Sequence, residues 1–107
     1  MSAEAPGDKK ALEILGLARR AGRTVHGDKG VKQAARSSQL RLIVVARDAS
    51  DNARARLPQA LWSEVTVVQC GSVATLGKAI GRGRTAVLGV TDRELASKVV
   101  QVLDRQR

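Results

Sequence analysis

The sequence predicts an α/β fold, a three-layer α/β/α sandwich in which a small mixed sheet of about four strands lies between helices. Short β-branched and aliphatic runs alternate along the chain with segments whose apolar residues recur at helical spacing. The 107 residues fit one domain and are too few for two cores of ordinary size. The hydrophobic fraction is 43%, and because Phe and Tyr are absent and Trp62 stands alone, the core is aliphatic.

The first predicted element is a helix that follows a tail. Residues 1–7 are small and polar without apolar periodicity, which predicts a disordered tail ahead of a single domain over residues 8–107. Asp8 is expected to cap the helix and Gly22 to end it. The apolar positions that keep helical spacing are Ala11, Leu12, Leu15, Ala18 and Ala21.

A short strand and a second helix come next. Thr24–His26 predicts an extended segment that leads into the glycine turn Gly27–Gly30. A helix is then expected to begin at Gly27 or Asp28, because apolar residues recur at helical spacing after the turn. The inward positions of this helix are Val31, Ala34 and Ala35.

The middle of the chain predicts the centre of the sheet and a third helix. Leu42–Ala46 is too short for a buried helix and suits a central strand covered on both faces. Ser50–Asn52 are capping residues for a helix that reaches about Trp62. Pro58 lies inside that helix and is expected to kink it, because proline lacks an amide donor. Val65–Val68 predicts the next strand.

The last third of the chain predicts a helix, a strand and a final helix. Ser72 can cap the first of these, and Gly81 and Gly83 can end it. Ala86–Val90 predicts a strand, and Thr91–Glu94 predicts a capping box that opens the last helix. Strands that alternate with helices favour a parallel or mixed sheet with right-handed crossovers.

The charge of the chain points to a polyanionic partner. Lys and Arg number 19 against 10 Asp and Glu, a formal net charge of +9, and nucleic acid is the leading candidate. No apolar stretch approaches the roughly 20 residues that span a bilayer, and the start lacks the apolar region of a signal peptide. With one cysteine and no Cys/His cluster, we expect a cytoplasmic protein without metal, cofactor or membrane partner.

Catalytic residues are scarce. His26 and Cys70 are the one histidine and the one thiol of the sequence. They lie at different strand ends, so ordinary structural roles are favoured over a catalytic Cys-His pair. Most carboxylates are expected at helix starts, where they offset the helix dipole. These are Asp8, Asp28, Asp51, Asp92 and Glu94. We therefore predict a protein that is not an enzyme.

The glycine turn Gly27–Gly30 is the strongest candidate site. It has neither the dinucleotide fingerprint nor the Walker A spacing, so no small-molecule substrate is expected. It offers exposed amides at a helix start together with a lysine, which suits an RNA phosphate or base edge; a plain turn is the alternative. Lys29, Lys32 and Arg36 then form one charged row, either a phosphate contact or a solvated face.

Other basic residues are given structural interpretations. Arg54 and Arg56 are taken as surface residues, and Gly81–Arg84 as a basic turn rather than part of an arginine-glycine tract. Modules that bind single-stranded RNA stack bases on aromatic side chains, which this chain almost lacks. We therefore expect recognition of the shape of a structured RNA through helix ends, backbone groups and small side chains.

Several segments, in order and spacing, resemble the kink-turn-binding ribosomal protein superfamily, the small archaeal and eukaryotic large-subunit proteins with their bacterial paralogues. The resemblance covers nearly the whole chain after Asp8. Pro58 is similar to a proline that these proteins carry in the same helix. The segments that carry the resemblance are Gly16–Arg23, Gly27–Ala34, Leu42–Asp48, Leu57–Pro58 and Val73–Gly81 with its Leu76–Ala79 core.

The resemblance implies a non-catalytic surface for a sharply bent RNA with sheared G·A pairs. A helix start would contact base edges, and an apolar loop would cover a flipped-out nucleotide. Together with the charged row, the expected RNA-binding residues are Gly27, Lys29, Gly30, Lys32, Gln33, Arg36, Arg47, Asp48, Ser72, Val73 and Ala74.

The chain departs from the strongest binders of that superfamily at the second helix. They carry Asn-Glu and a Lys three residues after the Glu, where this chain has Lys29, Gly30 and Gln33. Lys29 is like the bacterial paralogues, whereas a carboxylate and a cation are missing at the other two positions. The alternative is therefore a protein-interaction or assembly module of the same fold with only non-specific RNA affinity. With either function we expect a monomer. Kink-turn binding to a ribosomal or regulatory RNA is the interpretation that we favour.

Overall fold

The computed structural model describes residues 6–105. Most of the predicted tail, residues 1–5, lies outside the described residues. No helix in the described range is long and apolar enough to cross a membrane. In chain order the elements are α1 (Asp8–Arg20), β1 (Thr24–His26), α2 (Gly27–Arg36), β2 (Leu42–Val45), α3 (Asp51–Ala55), α4 (Gln59–Glu64), β3 (Val67–Gln69), α5 (Val73–Ala79), β4 (Val87–Val90) and α6 (Arg93–Arg105).

The strands form one mixed sheet in the order β1-β4-β2-β3. β2 pairs in parallel with β3, and β4 pairs antiparallel with both β1 and β2. The register places Ile43 opposite Val67 on one side and Gly89 on the other. The strands β1, β2 and β3 therefore run in one direction and β4 in the other, which confirms the predicted mixed sheet.

Two apolar clusters lie on opposite faces of this sheet. In β2, Leu42 and Val44 belong to one cluster and Ile43 and Val45 to the other, because successive side chains of a strand point to opposite faces. The first cluster includes buried residues of α1, α5 and α6, and the second includes residues of α2 and α4. All four β2 residues are buried. The three-layer sandwich and its predicted central strand are confirmed.

The predicted third helix is two helices. α3 ends at Ala55 and α4 begins at Gln59, and Pro58 lies at the cap position of α4 with a ψ of 141°, which is not helical. A kink within one helix was expected, but proline without an amide donor instead begins a new helix. Ser50 caps α3 as predicted, since its side chain accepts a hydrogen bond from the amide of Ala53 at 3.1 Å.

Two helix starts differ from the predictions. Gly7, with a φ of +90°, takes the cap position of α1, so that Asp8 is the first helical residue and is fully buried. At α6 the side chain of Asp92 accepts from the amide of Leu95 at 2.8 Å. Asp92 is thus the capping residue, and the capping box expected over Thr91–Glu94 is wrong by one position.

Element ends otherwise follow the predictions closely. α1 ends before Gly22, whose φ of +71° suits glycine after a helix, and this leaves Ala21 exposed rather than inward. β3 begins at Val67, two residues later than expected, because Val65 is the extended cap of α4. β4 begins one residue later than expected, at Val87.

Candidate nucleic-acid interface

The three segments predicted to contact RNA lie at one end of the sheet. β1, β2 and β3 run in the same direction, so Gly27, Arg47 and Ser72, which follow them, come to that end. β4 starts there. The two helices follow the edge strands β1 and β3, but the amide of Thr85, just before β4, donates to the carbonyl of Val73 at the start of α5 at 2.9 Å. The structure thus brings the three segments to one end of the sheet, with the loop before β4 close to both helix starts.

The start of α2 is open. Gly27 has a φ of +73°, and the side chain of His26, at the cap position, makes no capping hydrogen bond. The first amides of a helix have no partner within the helix and carry partial positive charge. Lys29 and Gln33 are exposed beside them. This arrangement presents amide donors and a cation to an incoming anion.

The predicted charged row runs along α2. Lys29 and Arg36 are exposed, whereas the ammonium of Lys32 lies 3.8 Å from the carboxylate of Asp28, one turn earlier. A half-buried pair at this distance contributes little to stability and can exchange for a phosphate contact. Gly30 is half-buried, and a Cβ added there would meet Val25 at an ordinary distance of 3.6 Å. Packing therefore does not require glycine at position 30.

A cleft of about 220 Å³ lies beside the start of α2. Its other walls are the end of α3 with Arg56, and the loop between α5 and β4 with Arg84. Both arginines are exposed, so two cations flank the open helix start. The complete lining is His26, Gly27, Asp28, Ala53, Arg56, Leu57, Arg84, Thr85, Ala86 and Val87.

The sequence predicts a surface position for Arg56 and a basic turn for Arg84. Both assignments hold locally, but neither placed them near α2. The sequence shows the two arginines of the tract Gly81–Arg84, but apolar periodicity does not show that this turn lies beside α2.

The loop between α5 and β4 is held firmly against α5. A Cβ added to Gly77 would come within 1.8 Å of the carbonyl oxygen of Gly83, so that only glycine fits there. The amide of Thr85 donates to the carbonyl of Val73 at 2.9 Å, and the amide of Arg82 donates to that of Gly77 at 2.8 Å. The loop therefore presents Arg84 from a fixed backbone.

The start of α5 is closed. The Ser72 side chain accepts from the amide of Thr75, and the Thr75 hydroxyl oxygen accepts from the amide of Ser72, a complete capping box. Asp48 accepts from the amide of Val73 at 2.8 Å. Val73 itself is buried, and of the three predicted contact residues in this helix start only Ala74 is exposed.

Arg47 is bound within the protein. Its Nε and Nη2 donate to the two carboxylate oxygens of Asp8 at 3.0 and 2.9 Å. The pKa of Arg47 is raised above its ordinary value chiefly by these hydrogen bonds, although partial burial opposes the shift. Asp8 is fully buried and also accepts from the amide of Gly71 at 2.8 Å. Arg47, one of the expected RNA-binding residues, is thus the partner of a buried carboxylate.

The structure also places the two residues considered for nucleophilic chemistry. His26 ends β1 and Cys70 follows β3, and these are opposite edges of the sheet. Cys70 is buried, and its thiol lies 3.8 Å from the carbonyl oxygen of Asp8. The two side chains do not form a catalytic pair. Within residues 6–105 no group of three or more His, Cys, Asp or Glu side chains could hold a metal ion.

The chain matches known proteins over most of its length. The model of the "Ribosomal protein L7Ae/L30e/S12e/Gadd45 family" matches residues 9–100. RNA-binding protein YlxQ of Bacillus subtilis (strain 168) is 33% identical over 92 residues, which are 85% of this chain and 92% of that protein. RNA-binding protein YlxQ of Enterococcus faecium is 29% identical over 97 residues, 90% of this chain and 93% of that protein.

Two solved structures share the architecture. A Bacillus halodurans protein of unknown function superposes with a TM-score of 0.80 at 31% identity, covering 89% of this chain and 97% of that chain. The 15.5kD RNA binding protein of Giardia lamblia gives a TM-score of 0.75 at 18% identity, covering 96% of this chain and 89% of that chain. The second likeness concerns the fold alone.

Proposed function

This chain belongs to the ribosomal protein L7Ae/L30e/S12e/Gadd45 family, and on that premise we propose that it binds structured RNA, with kink-turn or kink-turn-like elements as its preferred targets. We infer a non-catalytic role in a ribosomal or regulatory RNA complex in the cytoplasm. The names of the two matched relatives, both RNA-binding proteins, support the RNA partner. The net charge of +9 supports it independently.

One observation carries the proposal: the uncapped start of α2 opens beside a cleft flanked by Arg56 and Arg84. A sharp RNA bend brings phosphates of two strands close together, and it exposes base edges that a straight duplex hides. Cations on three different segments, with Lys29 on α2 as the third, suit such a crowded backbone. A helix start adds amide donors directed at the same place.

The two helix starts are assigned different roles in this proposal. Lys29, Gln33 and Arg36 on α2, with Arg84 from the loop, contact RNA directly. Asp48 and Arg47 hold the start of α5 and the end of β2 in place, because their side chains already bind within the protein. Ala74, which is exposed, remains the candidate for an apolar contact with a flipped-out nucleotide.

The proposal is tested by titrating the protein, at near-physiological salt, with three RNAs of equal length. These are a kink-turn RNA, the same RNA with its G·A pairs disrupted, and a plain duplex. A tenfold or greater preference for the intact kink is expected, because disruption removes the bend and leaves charge and composition nearly unchanged.

Equal binding to all three RNAs, with a steep loss of affinity as salt rises, would contradict kink recognition. That result would favour the alternative, a protein-interaction or assembly module with only non-specific RNA affinity. Its partner would then be sought by affinity capture with the full chain as bait.

A further inference from the structure

A second groove lies on the other side of α3, around the one aromatic side chain of the protein. The sequence contains Trp62 and no Phe or Tyr. Trp62 is half-buried, packs against the second apolar cluster and lines an open groove of about 620 Å³. The groove is lined by Asp51, Arg54, Ala55, Leu57, Pro58, Gln59 and Trp62.

This groove adjoins the cleft beside α2. Leu57 lines both, and the short helix α3 forms the wall between them. Arg56 lies on the side of the cleft and Arg54 on the side of the groove. A chain held at the start of α2 therefore has a basic path across α3 to Trp62.

The side chain of Arg54 has one hydrogen-bond donor that no protein atom accepts within the described residues. Its Nε is buried, and within the described residues it has no hydrogen-bonding partner. A buried donor without a partner is costly, so a shift of the side chain that brought Nε to a ligand oxygen in the groove would be favoured. Because Arg54 and Trp62 line the same groove, the groove combines a cation with an aromatic side chain on which a base can stack.

We propose that this groove binds an unpaired nucleotide adjoining the kinked RNA, with the base stacked on Trp62 and its phosphate bound by Arg54. The inference rests on the proposed function, because the cleft beside α2 would hold the rest of the RNA. Single-stranded nucleic acid is recognised by this combination of an aromatic platform and a cation. The proline and the uncharged Gln59 leave the remaining surface suited to a planar base.

Asp51 is the one carboxylate in the lining of the groove, and it distinguishes an RNA ligand from a basic peptide. It repels a phosphate but would attract a basic peptide. Neutralising it with Asp51→Asn should therefore tighten an RNA ligand and weaken a cationic one.

Trp62 makes the test direct, because it is the sole source of indole fluorescence. The full chain is titrated with a blunt kink-turn RNA and with the same RNA carrying a short unpaired extension at either its 5′ or its 3′ end. For one of the two ends we expect quenching of the emission and an affinity gain of about tenfold over the blunt RNA.

Variants then locate the gain. Trp62→Leu keeps an apolar side chain against the core and should abolish the gain while leaving affinity for the blunt RNA unchanged. Arg54→Gln should reduce the gain and Asp51→Asn should increase it. Arg93→Gln, at the opposite end of the sheet, is the charge-matched control and should leave the gain intact. Circular dichroism and urea unfolding check that each variant is folded.

The two proposals fail separately. If the blunt kink is preferred over its disrupted form but neither extension quenches or tightens binding, the groove inference is overturned and the function stands. If the blunt kink is not preferred, the function fails, and a short single strand alone still tests the groove through quenching of Trp62. Tightening by a basic peptide, lost in Asp51→Asn, would also overturn the inference in favour of a protein partner.

Discussion

The starts of α2 and α5 follow parallel strands at the same end of the sheet, yet their polar groups are used in opposite ways. At α5 a capping box, the Asp48 carboxylate and the pair of Asp8 with Arg47 bind the local donors. At α2 no side chain caps the first turn, and the nearby cations are exposed. One start is fixed by side chains of the protein, and the other has no side-chain cap.

The difference shows that positive charge alone does not identify a binding residue. Arg47 and Lys29 are both basic residues placed shortly after a strand. Arg47 is bound to a fully buried carboxylate, whereas Lys29 is exposed. A buried acceptor determines whether an arginine contributes to folding or to binding. Substitutions at the two starts should therefore affect different measurements.

The largest effect is expected for Asp8→Ala. This change leaves Arg47 without its carboxylate and the amide of Gly71 without its acceptor. Breaking a buried pair by removing one partner costs about 3 kcal/mol or more, and the partial exposure of Arg47 keeps the expected loss near that lower figure. Urea unfolding should show the loss in the free energy of unfolding.

The matched change at the other start is Asp28→Ala. Its pair with Lys32 is accessible to water on one side and 3.8 Å long, so its removal should change the free energy of unfolding by less than about 0.5 kcal/mol. Equal destabilisation by the two changes would contradict the division into a fixed and an open start.

The second prediction concerns the loop that carries Arg84. Gly77→Ala places a Cβ within 1.8 Å of the carbonyl oxygen of Gly83, which is backbone and cannot move aside cheaply. We expect a loss of about 2 kcal/mol in the free energy of unfolding, together with weaker RNA binding as the loop shifts. Thermal unfolding and RNA titration measure the two consequences.

Gly83→Ala is the control on the other side of the same contact. Its added Cβ meets nothing within 4 Å, and the residue does not have a positive φ. Stability and RNA affinity should both remain near those of the parent chain. A loss of binding in this variant alone would mean that the loop backbone at Gly83 itself touches RNA.

The third prediction reverses the pattern, with binding affected and stability unchanged. Lys29→Ala should weaken kink-turn binding about tenfold and lower the salt dependence by roughly one counterion, as expected for loss of one phosphate contact. The free energy of unfolding should stay constant because the side chain is exposed. Arg93→Ala, at the far end of the sheet, should change the affinity for the kink-turn RNA less than twofold. If Arg93→Ala and Lys29→Ala lost similar affinity, the RNA would be attracted by charge without a specific site.

The order of helices and strands was predictable because it rests on local patterns. Helical spacing, glycine ends and the continuous aliphatic run at β2 each act within a few residues. Pro58 shows where local reasoning stops short: a missing donor predicts a disturbance, but whether a helix bends or restarts depends on packing. Here Leu57 and Leu61 both reach the second cluster, and the chain accommodates this with two short helices.

The open start of α2 could be identified from the sequence, whereas the surroundings of Arg47 and Arg84 could not, for a physical reason. Asp8 is hydrogen-bonded to Arg47 and Gly71, which lie 39 and 63 positions further along the chain. No local sequence pattern could therefore show that Arg47 is bound within the protein. The position of Arg84 beside α2 likewise depends on the order of strands in the sheet. Glycine and lysine at the start of α2 needed no such information, since the helix start is itself local.

The smallest expected effect concerns specificity at the open start. Gly30→Glu combined with Gln33→Lys gives α2 the carboxylate and cation that the strongest kink-turn binders carry in the resemblance drawn from the sequence. The helix should accept the new side chain at Gly30, where a Cβ meets Val25 at 3.6 Å. The net charge is unchanged, so non-specific attraction should stay level while preference for the intact kink over its G·A-disrupted form rises about threefold, near 0.7 kcal/mol. Gln33→Lys alone should tighten all three RNAs alike. If the double variant also bound all three RNAs more tightly by the same factor, α2 would contribute charge but no recognition of the bent RNA.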